Sequence, residues 1–169
     1  YLCKKQELSS VFSPNFSLLD KFYDPERFEV IKKIKLNTDK LDTVLRKNRI
    51  KYIDFIKLDT QGSELLILKG STASLQNAIG LQIEVNFIEL YNNQPLFNDV
   101  DNFIRKMGFE LFDINITGAS GGLAEANDFM VSNGRSIFPL KVYWSSTCFL
   151  KVPVYEIYGL FDFEEQRKI

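Results

Sequence analysis

The stretch from Ile53 to Phe87 does most to limit what this 169-residue chain can become. Its first piece, Ile53-Asp54-Phe55-Ile56-Lys57-Leu58, reads as a compact strand rich in branched and aromatic residues. Asp59-Thr60-Gln61-Gly62 interrupts it as a turn. Ser63 to Lys69 is then expected to be helical, with Gly70 as its stop. A small helical turn over Ser74 to Asn77 leads into a second apolar strand, Ile79 to Phe87. Strand, helix and strand in this order form a βαβ unit, which sets its strands parallel and lays a helix on the sheet face.

The flanks extend the pattern. Tyr1 to Tyr23 has no clean period: Ser9-Ser10-Val11-Phe12-Ser13-Pro14-Asn15 is an extended piece ending in a turn, and Leu18, Leu19 and Phe22 fit a short helix. Phe28 to Leu36 alternates as a strand does, with Phe28, Val30, Ile34 and Leu36 as its apolar positions. Asp39 to Lys47 is a short helix with Leu41, Val44 and Leu45 on one face and Thr38 or Asp39 as cap. Asp99 to Met107 has the clearest helical spacing, because Val100, Phe103, Ile104 and Met107 recur at i, i+3, i+4 and i+7 before Gly108. Phe109 to Ile116 and Val142 to Leu150 read as strands, Thr117 to Asn127 as a loop, and Glu164 to Lys168 as an exposed helix end. The expected fold is α/β, a single domain over residues 1–169. Its sheet is mainly parallel with helices on its faces, and its last strand is antiparallel for want of a crossover helix.

Composition excludes several classes of function. The chain has no histidine, so any proton transfer must use Asp, Glu, Lys, Tyr or water. Its formal net charge of −1 provides no field for nucleic acid or an anionic membrane, and neither is expected as a partner. No run approaches the roughly 20 apolar residues of a membrane span. Cys3 and Cys148 make neither a disulfide framework nor a zinc site, which fits a reducing, cytoplasmic setting. No metal is expected.

In an open parallel sheet, ligands meet the chain beyond the carboxyl ends of the strands. Asp59 closes one strand, Glu84 stands near the end of the next, and Glu64 in the first helical turn points back to the same rim. Such carboxylates could act as a general base, ligate a divalent cation, or accept hydrogen bonds from sugar or nucleoside hydroxyls. Structural roles compete. Glu64 and Asp42 both sit where an acid favours a helix start by about 0.3–1 kcal/mol, and Asp59 could simply accept turn N–H groups. Gly118-Ala119-Ser120-Gly121-Gly122 lacks the spacing of a phosphate-binding loop and reads as a plain loop. Phe87, Tyr91 and Phe97 fit either core packing or the wall of an acceptor pocket.

Taken together, the chain resembles the FkbM family of methyltransferases from about Ser9 to Leu150. The likeness rests on Ser9 to Asn15, Leu41-Asp42, Phe55 to Leu65, Ile67-Leu68-Lys69-Gly70, Glu84-Val85, Leu90-Tyr91, Gln94-Pro95, Gly108-Phe109 and Tyr143 to Leu150. Its centre is Asp-x-x-Gly-x-Glu, here Asp59, Gly62 and Glu64. The resemblance implies a Rossmann-like fold that transfers a methyl group from S-adenosylmethionine to a hydroxyl of a saccharide or secondary metabolite. It implies catalytic roles for Asp59, Glu84 and Glu64, and cofactor contacts for Asp59, Ser10 and Asn15.

Two features depart from the family pattern. Asn86 stands where relatives often carry a second acid; Asp59, Glu84 and Asn86 resemble a magnesium-binding set only in approximate spacing. The first glycine is Gly62, so the glycine-rich turn that opens the family's cofactor site does not precede it. The chain is therefore expected to be the C-terminal, acceptor-side portion of the domain, inactive alone, with cofactor binding dependent on the preceding part. The alternative is a truncated or degenerate fold serving binding or assembly, with an exposed sheet edge open to self-association.

Overall fold

The structure, a computed structural model, describes residues 1–22, 24–115, 131–132, 135–136 and 144–151. It opens with β1 (Leu2–Cys3), a 3-10 turn (Gln6–Leu8), α1 (Phe16–Leu19), a second 3-10 turn (Pro25–Phe28) and β2 (Val30–Lys32). Then come α2 (Leu41–Lys47), β3 (Phe55–Leu58), α3 (Glu64–Lys69), α4 (Thr72–Leu75) and β4 (Gly80–Asn86). After these lie α5 (Phe97–Lys106), β5 (Glu110–Asn115), the short β6 (Val131–Ser132) and β7 (Arg135–Ser136), and β8 (Trp144–Leu150).

The main sheet has the order β3-β4-β8-β5. β3 pairs with β4 in parallel, Phe55 against Gly80 through Leu58 against Ile83. β8 pairs antiparallel with both β4 and β5. Hence β3, β4 and β5 point one way and β8 runs against them, a partial Rossmann-like α/β arrangement with the antiparallel last strand the sequence leads one to expect.

Alternation explains how the sheet faces its core. In β3, Ile56 and Leu58 are buried while Phe55 and Lys57, which alternate with them, are exposed. In β4, Leu81, Ile83 and Val85 point into a core shared with Leu65 and Leu68 of α3, Val100 and Ile104 of α5, Phe109 and Phe149. Each such side chain removed from water contributes about 1.5–3 kcal/mol. Thr147 brings a hydroxyl into this core, satisfied because its Oγ1 donates to the Ile83 carbonyl at 3.0 Å. Lys151, just past β8, donates to the carbonyls of Leu75 (3.0 Å) and Gln76 (2.9 Å) at the end of α4. A cation there suits the negative end of the helix dipole.

A second, smaller cluster buries Leu19, Phe22, Phe28, Leu90 and Tyr91. It joins the N-terminal segment to the loop after β4. Asn15 N–H donates to the Leu90 carbonyl at 2.9 Å, and Asn92 N–H to the Ser13 carbonyl at 2.8 Å.

Several elements differ from their expected bounds. The Phe28 to Leu36 strand contracts to β2, which pairs with β1 and not with the main sheet. Its ladder ends because β1 has only two residues, and Ile34 and Leu36 are left exposed. α2 starts at Leu41 without a side-chain cap, since Asp39 bonds the Lys47 ammonium instead (2.6 Å). α5 starts two residues before Asp99, whose carboxylate accepts the Leu96 N–H at 2.9 Å. The loop over Thr117 to Asn127, the start of the Val142 to Leu150 strand and the Glu164 to Lys168 tail lie outside the described residues. Among the described residues no helix is long and apolar enough to cross a membrane.

Candidate functional site

The turn between β3 and α3 needs unusual backbone. Gln61 and Gly62 both take positive φ, 54° and 99°. Glycine adopts this freely and other residues do so rarely. At Gly62 a Cβ would lie 3.3 Å from Gln94 Cβ, so the turn is also pressed against the loop after β4. Side chains of Glu64, Ser10 and Ser63 hold it, the last donating its hydroxyl to Thr60 Oγ1 at 2.9 Å. Glu64, only 3% exposed, accepts the Thr60 N–H at 2.6 Å and the Thr60 hydroxyl at 3.0 Å through one oxygen. Ser10 donates its hydroxyl to the Gln61 carbonyl at 2.6 Å and accepts the Phe12 N–H at 3.1 Å.

This geometry separates the three expected acids by environment. Glu64 is buried and committed to the turn. Asp59 is exposed at the carboxyl end of β3. Glu84, half-buried in β4, stands beside it. Burial pushes the Glu84 carboxyl up to about 9, and its hydrogen bond with Asp59 and the negative charges of Asp59 and Glu64 push the same way. Glu84 therefore keeps a proton at neutral pH and shares it with Asp59, as two carboxyl groups that cannot both ionise at close range do.

Gln61 completes the rim. Its Nε2 donates to Asp59 Oδ1 at 3.3 Å and to Glu84 Oε2 at 3.2 Å. Its Oε1 lies 3.2 Å from the Tyr91 hydroxyl, which also reaches the Leu8 carbonyl at 2.8 Å and divides its one proton between them. Tyr91 is fully buried, and burial, followed by the neighbouring Cys3 and Glu84, raises its phenol above the ordinary range. Nothing in the residue pattern singles out Gln61 beyond its place in the motif; its signal is a long polar side chain at a positive-φ turn position.

The remaining candidates are distributed as follows. Asn15 heads α1 and donates its amide to the Glu89 carbonyl at 2.8 Å. Ser10 and Asn15 thus both use their side-chain donors on this chain's own backbone, and Asp59 alone of the expected cofactor contacts presents an exposed group. Asn86 is buried at the end of β4. Phe87 and Phe97 form a tilted ring pair with centroids 5.3 Å apart at the edge of the sheet core. Tyr91 belongs to the other cluster, edge-on to Phe28 at 6.0 Å, so the three rings form no single wall. Asp42 leaves its own helix start and caps α4, accepting the Ala73 and Ser74 N–H groups (2.9 Å each) and the Ser74 hydroxyl. Burial works to raise its carboxyl, but these donors outweigh it and hold it below the ordinary value. Gly118 to Gly122 lies outside the described residues. Among the described residues no group of three or more Asp, Glu or Cys side chains is placed to hold a metal ion.

A family model described as the methyltransferase FkbM domain matches residues 4–111, which include the whole rim and the N-terminal segment behind it. Neither a curated protein nor a solved structure gives a match.

Proposed function

Because this chain belongs to the methyltransferase FkbM family, we propose that its rim is the acceptor side of an O-methyltransferase site. The observation that carries this reading is the exposed Asp59 carboxylate beside a proton-holding Glu84 at the carboxyl ends of two parallel strands. The acceptor is a hydroxyl of a saccharide or secondary metabolite. S-adenosylmethionine, when bound, supplies an electrophilic methyl group. Asp59, with an oxygen open to solvent, suits a hydroxyl partner, whether of the acceptor or of the cofactor's ribose.

The chain's own residues divide the work. Asp59 accepts the hydrogen bond of the acceptor hydroxyl and fixes its oxygen for in-line attack; such positioning accounts for much of a bimolecular barrier. Transfer would break the sulfonium S–CH3 bond, whose electron pair would leave with the cofactor's sulfur as a thioether, and Asp59 would take the proton that the acceptor hydroxyl gives up. Glu84 holds the other proton of the pair, so that the pair carries one negative charge instead of two. Glu64 holds the Thr60 N–H and hydroxyl and so keeps Asp59 aimed.

Asp59→Asn in the full-length protein tests this. It keeps the side-chain volume and removes the proton acceptor. Transfer of a labelled methyl group to a panel of saccharides is expected to fall by about 100-fold or more while the circular dichroism spectrum stays unchanged. Near-normal transfer would remove Asp59 from the chemistry.

A further inference from the structure

We propose that Gln61 is the positioning residue of this rim: its one side-chain amide bridges Asp59 and Glu84, holds them as a pair, and ties the pair through Tyr91 to the N-terminal segment. The functional consequence rests on the reading of the rim as an acceptor site; the bridge itself does not.

The geometry carries it in three steps. First, the amide has a preferred orientation. Two carboxyl oxygens lie against Nε2 and a hydroxyl donor lies against Oε1. Turning the amide over would set its oxygen against the ionised member of the pair and forfeit one donor contact. Second, the count of hydrogens fits. Nε2 carries two, one for Asp59 Oδ1 and one for Glu84 Oε2. Both of those oxygens accept from the one amide nitrogen. Third, the backbone is built to deliver this side chain. Gln61 is held at φ 54°, and the Ser10 hydroxyl fixes its carbonyl from the N-terminal segment at 2.6 Å. Tyr91, buried among Leu19, Phe22, Phe28 and Leu90, fixes its other end.

The titratable and charged groups around the bridge are Asp59 after β3, Glu64 of α3, Glu84 of β4, Tyr91 of the following loop, Cys3 of β1 and Arg27 of the second 3-10 turn. Three of them are carboxyl groups. A neutral double donor lets two of these approach without supplying a full counter-charge that would strip the shared proton away. It favours the charged form of each carboxyl it touches, so losing it must make the pair harder to ionise.

The test is a carboxyl-carbon NMR titration of this chain as it stands. Gln61→Asn suits the left-handed backbone and keeps an amide, but is one methylene too short to span the pair. We expect the Glu84 midpoint to rise by about one pH unit, a tenfold change in proton affinity, with backbone amide shifts otherwise retained. Gln61→Met, which keeps the length and removes both donors, should raise it at least as far. In the unsubstituted protein the Gln61 side-chain amide protons should shift with the same midpoint as the Glu84 carboxyl carbon. An unmoved Glu84 midpoint in a folded variant, or Gln61 amide protons indifferent to that titration, overturns the proposal. A moved midpoint together with normal methyl transfer by Asp59→Asn would keep the bridge and discard the acceptor-site reading; the opposite pair of results would do the reverse.

Discussion

The sheet core and the N-terminal cluster bury their side chains by different means. The first is assembled from regular elements, with Leu81, Ile83 and Val85 on one strand face meeting Val100 and Ile104 at helical spacing. The second has almost no regular structure of its own. Leu19, Phe22, Phe28, Leu90 and Tyr91 come from a one-turn helix, a 3-10 turn and a loop. What regularity does not supply, hydrogen bonds do: Ser10 to Gln61, Tyr91 to Leu8, and Asn15 to Glu89. The acidic rim lies on the seam between them. The sheet sets where Asp59 and Glu84 stand, and the irregular cluster sets how the turn between them is held.

If that division is right, truncation should hurt the two cores unequally. Ile104→Ala is expected to destabilise the protein by about 3–4 kcal/mol, since close-packed neighbours on α5 and the sheet cannot collapse into the space. Leu19→Ala should cost about 2 kcal/mol, because irregular chain relaxes more readily. Urea unfolding of both variants decides it, and equal losses would make the cluster as rigid as the sheet.

Next in size is the effect of pH through Glu84. Its folded carboxyl titrates near 9, above its ordinary value of 4.5. A raised acid stabilises the fold fully below the unfolded value, and that contribution is lost as pH climbs through the folded one. Glu84→Gln keeps a donor toward Asp59 but cannot ionise. Solvent reaching the half-buried carboxyl screens it and cuts the full linkage value, so the variant should gain on the order of 2 kcal/mol relative to the parent between pH 5 and pH 9, read from thermal melts across that range. A constant difference between the two proteins would mean that Glu84 is not proton-bearing in the fold.

The smallest effect sharpens the seam itself. Ser10→Ala removes the donor to the Gln61 carbonyl and should cost about 1 kcal/mol, with a shift confined in NMR spectra to Thr60 through Glu64 and the N-terminal segment. A loss of S-adenosylmethionine affinity in the full-length protein without any such shift would show that Ser10 meets the cofactor directly.

The same contrast explains what could be read from the residues alone. The Ile53–Leu58 strand, the Ser63–Lys69 helix and the Asp99–Met107 helix follow from local periodicity, and each is present within a few residues of its expected bounds. Asp59, Glu64 and Glu84 could be assigned to one rim because a βαβ unit leaves little choice. The pairing of β1 with β2 could not, since two- and three-residue strands leave no periodic trace. Nor could the role of Asp42, whose partners lie 31 and 32 positions away on α4. Gln61 was hidden for a similar reason: its significance comes from Ser10 and Tyr91, 51 and 30 residues distant.

One topological detail bears on how such a chain comes together. β8 is the last described strand in sequence, yet it lies inside the sheet between β4 and β5. Thr147 on it reaches back 64 residues to Ile83. While a ribosome is still making the chain, β4 and β5 can each be complete and yet share no ladder. Both present open edges until the segment around Trp144–Leu150 emerges, and non-local closure of this kind is slow and exposed to mispairing. A nascent chain halted just before Trp144 should thus remain a ready client for chaperones, and its release from them should coincide with insertion of that one strand.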